Sequence, residues 1–100
     1  MKVRLIVPNC NRTVSPIVAY GKAIADIAGG FTATTATGGW IDGSGALIVE
    51  PVTVFDCISD PLTIQDHINA FRGLAQRIAR ELKQDCVYLE IDGIVSFVKG

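Results

Sequence analysis

Hydrophobic and polar positions alternate at the start of the chain, with Val3, Leu5 and Val7 on one side and Lys2, Arg4 and Ile6 on the other. This is the two-residue period of a strand that turns one face to a core, and it predicts a strand over residues 2–7. After the polar turn at residues 8–13 the period changes. Ser15-Pro16 supplies an N-cap with proline at the first helical position, and Ile17, Tyr20, Ile24 and Ile27 recur at helical spacing, predicting a helix to about Ala28. Gly29 is placed to end it in the left-handed conformation. Residues 31–37, rich in threonine, suit a pleated strand, and residues 38–45 with Asp42-Gly43 predict the turn back. A third strand over residues 46–55 has Leu47, Ile48 and Val49 in a row, so that both of its faces want burial, as in a central strand. Pro51 lacks the N–H a ladder needs and predicts a bulge or an edge segment in the later half.

The strongest element is the second helix. Ile64, Ile68, Phe71, Ala75, Ile78 and Leu82 form one apolar stripe, Asp60-Pro61 or Thr63 with Asp66 can cap its start, and it should end near residues 83–85. Residues 86–91 and 94–98 read as two strands around Asp92-Gly93, a two-residue hairpin signal. The order β-α-β-β-α-β-β predicts an α+β domain over residues 1–100, a ferredoxin-like split β-α-β with one added C-terminal strand and both helices on one face of an antiparallel sheet. The other face carries Ile6, one side of residues 47–49 and part of the C-terminal hairpin. That is more apolar surface than a monomer usually leaves wet, and it predicts a homodimer or higher homo-oligomer assembled through the sheet.

Composition narrows the function classes. About half of the residues are hydrophobic (49%), which places the chain outside the disordered class, and the formal net charge of −1 gives no global field toward long nucleic acid or anionic lipid. No stretch approaches the roughly 18 uncharged apolar residues of a membrane helix, and residues 1–7 lack the apolar core of a signal peptide, so a cytoplasmic protein without membrane association is expected. Cys10, Cys57 and Cys86 are odd in number and widely spaced, which points to reduced thiols; no metal site and no cofactor is expected.

Two segments carry candidate chemistry. The first is Gly29-Gly30-Phe31-Thr32-Ala33-Thr34-Thr35-Ala36-Thr37-Gly38-Gly39-Trp40, a threonine-rich strand between glycine pairs, closed by the only tryptophan. Caps and hairpin geometry account for the glycines, yet glycine amides also meet phosphate oxygens, while Phe31 or Trp40 can stack on a base with Thr32 and Thr34 donating hydrogen bonds. The second is a ridge on the second helix, where Arg72, Gln76, Arg80 and Lys83 fall on one flank with Arg77 further around; Arg4, Arg12 and Lys22 could add charge from elsewhere. Such a ridge either covers the core edge with its aliphatic stems or captures phosphate. His67, the only histidine, has no orienting group in view, and Asp26, Asp42, Glu50, Asp56, Asp60, Glu90 and Asp92 mostly sit at turns or caps without the spacing of a general acid and base. No catalytic residue is predicted.

The pattern Gly29-Gly30-Phe31-Thr32, Gly38-Gly39-Trp40 and Gly45 with Leu47 to Glu50 resembles small phage and prophage proteins of the Thoeris anti-defence sponge type. The resemblance implies an oligomer in the host-cell cytoplasm that binds cyclic ADP-ribose-type signals or cyclic oligonucleotides and removes them without chemistry. The expectation is therefore a non-catalytic binder of a small phosphorylated nucleotide. Arg72, Arg80 and Lys83 would neutralise phosphate, Phe31 and Trp40 would stack, and both segments, from one subunit or two, should face one cavity. Two alternatives stand beside it: a module that engages a host protein through the apolar sheet face or an open strand edge, and a small ferredoxin-like enzyme with an interface active site using His67 or Cys57.

Overall fold

The computed structural model describes residues 1–10, 14–59 and 64–100. Strand β1 (Lys2–Pro8) leads to helix α1 (Pro16–Ala28), strands β2 (Thr32–Ile41) and β3 (Leu47–Ile58), helix α2 (Ile64–Glu81) and strands β4 (Cys86–Ile91) and β5 (Ile94–Lys99). The strands form one sheet in the order β2-β3-β1-β4-β5 with every pair antiparallel. This is the predicted ferredoxin-like arrangement with its added strand. The predicted caps at Asp60-Pro61 and Thr63, and Arg12, lie outside the described residues.

The alternation seen in the sequence sets the layers. Val3, Leu5 and Val7 of β1 are 3%, 1% and 0% exposed and meet Phe55, Leu89, Tyr20, Ile24, Phe71 and Ile78 in the core between sheet and helices. Burying side chains of this size contributes about 1.5–3 kcal/mol each before the entropy of ordering them is set against it. Ser15 caps α1, its Oγ accepting from the Val18 N–H at 3.3 Å, and Gly29 closes it at φ 88° with its N–H on the Ala25 carbonyl at 2.7 Å. Helix α2 ends in the same way without a glycine: Lys83 takes φ 54° and the Gln84 N–H reaches the Ala79 carbonyl at 2.9 Å. Asp92 and Gly93 both have positive φ, 47° and 84°, the backbone of the two-residue hairpin predicted there.

Three local expectations are corrected. The Gly38-Gly39 pair does not turn the chain; β2 continues through it to Ile41 because both residues pair with β3, opposite Glu50 and Val49, and Gly38 packs closely there, where a β-carbon would stand 3.1 Å from Val52 Cγ1. The turn falls at residues 42–46, where Asp42 Oδ1 accepts from the Ser44 N–H, the Ser44 hydroxyl and the Ala46 N–H. Pro51 makes no bulge: the β2–β3 register is continuous from Ile41↔Leu47 to Thr32↔Asp56.

The edge segment lies in the earlier half of β3, since β1 begins to pair only at Pro8↔Val52. Residues 38–41 and 47–50 thus form a two-stranded arm beyond the body of the sheet, and the molecule measures 45 × 27 × 21 Å. Leu47 and Val49 lie in that arm, 65% and 58% exposed, and are not the doubly buried residues of a central strand.

Candidate functional site

At the opposite end of the same pair of strands the sheet has a notch. Strand β2 starts at Thr32, opposite Asp56, while β3 runs on to Ile58 and pairs there only with β1. The chain leaving α1 crosses this gap through Gly30 and Phe31. The notch opens into a cavity of about 690 Å³ lined by Ala28, Gly30, Phe31 and Thr32 on one side and by Lys2, Arg4, Asp56, Ile58 and Glu90 across the sheet, with Val3 and Cys57 at its floor. A second hollow of about 310 Å³, lined mainly by Pro8, Val14, Pro16, Tyr20 and Leu82, has no charged residue on its walls among the described residues.

Strand pairing builds the charged part of the first cavity. Arg4 faces away from the core, and register places Asp56 of β3 on one side of it and Glu90 of β4 on the other. Arg4 Nε donates to Asp56 Oδ1 at 2.7 Å and Nη2 donates to Oδ2 at 3.3 Å, a side-on bidentate pair. This hydrogen bond, followed by the charge of Asp56, holds the guanidinium pKa above its ordinary value. Glu90 makes no ion pair among the described residues; it accepts at Oε1 from the Tyr88 hydroxyl at 2.5 Å. That bond comes first, ahead of burial, in raising the Tyr88 pKa, and the ring is set edge-on against Phe97 with centroids 5.9 Å apart. Tyr88 therefore stays a donor at neutral pH and fixes the Glu90 carboxylate on the open sheet face.

The residues predicted from the sequence are distributed unequally. Phe31 and Thr32 line the cavity, although Phe31 also packs edge-on against Phe55 at 5.3 Å and fills the space above Gly21, where a β-carbon would meet its ring at 3.0 Å. Thr34 is exposed on the same sheet face, opposite Val54. Trp40 lies eight residues beyond Thr32 on β2, about 26 Å away at the rise of a strand. Arg72, Arg80 and Lys83 are exposed on or just after α2, which packs on the helix side of the sheet against β4 and β5, and none of them lines the cavity. Within one chain the glycine-bracketed strand and the arginine ridge do not face a common cavity.

Arg4 was visible in the sequence only as an accessory cation, and Asp56 and Glu90 only among carboxylates taken for turn and cap residues. Both lie inside strands. Their signal was the predicted topology itself, which sets β3 and β4 on either side of β1.

Neither residue of the interface-enzyme alternative is presented as a nucleophile. His67 Nδ1 contacts the Ser59 hydroxyl, which is 1% exposed. Cys57 lines the cavity floor, but burial and then the charge of Asp56 push its thiol up to about 11, so it is protonated at neutral pH.

No protein-family model matches the sequence, and no curated protein matches it. Two solved structures do match in fold. One, a phage SAM lyase in complex with S-methyl-5′-thioadenosine, is 21% identical, with a TM-score of 0.80 over 99% of this chain and 88% of that one. The other, a phage SAM lyase in the apo state, is 19% identical, with a TM-score of 0.61 over 95% of this chain and 82% of that one. The likeness to a small phage protein is thus in the fold, and the sponge type is not what the fold matches.

Two expectations are corrected by these structures, the absence of enzymatic activity and the sequestration of a nucleotide signal. Both neighbours are enzymes, and the bound molecule in one of them is a nucleoside thioether without phosphate. The sheet gathers Asp56, Arg4 and Glu90 from three strands that no sequence spacing connects, so this charged cluster does not show along the chain. The fold of this chain is that of phage SAM lyase.

Proposed function

We propose that this protein is a lyase acting on S-adenosylmethionine, with the cavity at the sheet notch as its binding site. The observation that carries the reading is Glu90: a carboxylate fixed by Tyr88 on the wall of a nucleoside-sized cavity, with no cation paired to it among the described residues. S-adenosylmethionine, a cation overall, brings the missing positive charge. Thr32 and the exposed side of Phe31 border the same space and suit the adenosine part. The fold shared with phage SAM lyase supports the assignment.

In such a reaction the bond between sulfur and the four-carbon amino-acid chain breaks, its electron pair going to sulfur, and S-methyl-5′-thioadenosine leaves neutral. The carbon left electron-poor is satisfied without water: either its neighbour passes a proton to a carboxylate on the cavity wall, Asp56 or Glu90, or the chain's own carboxylate closes onto it. Closure needs a bent substrate, which a cavity supplies more directly than a nucleophile does. Incubation of the purified protein with S-adenosylmethionine, followed by chromatography with mass detection, should show S-methyl-5′-thioadenosine accumulating in proportion to protein. Formation no faster than in a heat-treated control overturns the reading.

Assembly with a second copy of this chain belongs to the same proposal. The chain exposes 6056 Å², against about 5,500 Å² for a folded monomer of its size. Large apolar side chains are exposed on the arm and the open sheet face, where Trp40, Ile41 and Phe97 are 45%, 63% and 66% exposed.

A further inference from the structure

We propose that Arg4 is the residue that takes the carboxylate of the ligand's amino-acid portion, so that Arg4 and Glu90 together clamp a zwitterionic head group. The assignment rests on the function proposed above and concerns the same cavity. It starts from the donors of Arg4. A guanidinium has five N–H donors, and the side-on pair with Asp56 uses Nε and one hydrogen of Nη2. The outer edge, formed by Nη1 and the second hydrogen of Nη2, has no partner among the described residues, and the side chain of Arg4 is 49% exposed toward the cavity.

That edge is a second fork whose parallel N–H groups match the two oxygens of a carboxylate. Asp56 neutralises half of the problem in advance by holding the plane of the guanidinium fixed, so a ligand carboxylate meets an oriented donor pair and not a freely rotating side chain. Charge is balanced once the whole ligand is counted, since the Asp56–Arg4–Glu90 row carries a net −1 and S-adenosylmethionine, with ammonium and sulfonium against one carboxylate, carries a net +1. Arg4 is already paired, while Glu90 on the adjacent strand is not, and an incoming α-amino acid brings both an anion for Arg4 and a cation for Glu90. Arg4 and Glu90 are direct cross-strand partners, so their side chains rise from the sheet about 5 Å apart at the β-carbon, within reach of the two charged groups on one α-carbon. Asp56 and Glu90 are the other charged groups that face this position, and Lys2 borders it from the end of β1.

The clamp would distinguish substrate from product. S-methyl-5′-thioadenosine has no head group and would be held only by the nucleoside side of the cavity, so release follows once the carbon–sulfur bond is broken.

Three probes separate the contributions: S-adenosylmethionine, its decarboxylated form, and S-methyl-5′-thioadenosine. Calorimetric titration of the wild-type protein should show S-adenosylmethionine binding about tenfold or more tighter than the decarboxylated compound. In Arg4→Gln that difference should vanish, with the affinity for S-methyl-5′-thioadenosine unchanged, which at the same time reports that the variant is folded. Asp56→Asn, which keeps the cation but frees it, should reduce the preference without abolishing it. A wild-type protein indifferent to the carboxylate, or an Arg4→Gln protein that keeps the preference, overturns the clamp while leaving the lyase reading standing. Failure of the wild-type protein to bind any of the three overturns both.

Discussion

Lys83 holds a left-handed backbone at φ 54° that the Schellman-type end of α2 requires, and a β-carbon there costs about 1 kcal/mol. Lys83→Gly should therefore raise stability by about that amount in urea denaturation. Cleavage of S-adenosylmethionine should be unchanged, because Lys83 is remote from the cavity. Cys57 gives a prediction with pH. Its thiol is raised to about 11 in the folded protein, above the roughly 8.5 of an exposed cysteine, so between these values the unfolded chain has lost a proton that the folded chain retains. Stability should accordingly fall as pH rises through that window, and Cys57→Val, which lacks the thiol, should show a flatter profile. Alkylation under native conditions should reach the half-buried Cys10 and Cys86 well before Cys57. Glu90→Gln removes the charge while keeping an acceptor for Tyr88. It should weaken S-adenosylmethionine binding about tenfold and leave S-methyl-5′-thioadenosine binding nearly unaltered, since only the former carries a positive charge.

Among the elements, β2 shows how far local pattern reaches. Its threonines announced a strand, and Gly29 announced the helix end before it, since both follow from the chemistry of single residues and their immediate neighbours. What Gly38 and Gly39 do is decided by another strand: one faces Val52 at 3.1 Å, the other has nothing closer than 3.7 Å, and both appear in the sequence as an ordinary turn signal. The pair can be told apart by experiment. Gly38→Ala should be less stable than Gly39→Ala by about 1 kcal/mol, because only the first forces a neighbour to move. The site was legible to the same extent. Phe31 and Thr32 were found because they belong to the segment with the unusual composition. Asp56 and Glu90 were passed over because each is one of several carboxylates until β1 is placed between their strands. The arginine ridge of α2 was visible for the opposite reason, as helical spacing gathers charges locally whether or not a ligand is near.

For the whole molecule, the arm and the open sheet face predict concentration-dependent association. Sedimentation at micromolar protein should show a species larger than one chain, and replacing Trp40 and Phe97 by serine should shift it toward the monomer, with circular dichroism confirming that the sheet persists. The Asp56–Arg4–Glu90 row has another consequence. It crosses β3, β1 and β4, three strands whose sequence positions span most of the chain, so a ligand gripped at both ends of its head group would act as a removable crosslink across the middle of the sheet. Binding only to the folded state at about 100 times its dissociation constant adds about 2.7 kcal/mol. For a ligand seated there, amide exchange should slow in β1, β3 and β4 as one unit, while the product would protect chiefly the α1–β2 connection. The lifetime of the sheet's central hydrogen bonds would then rise while substrate is bound and fall once the reaction is done.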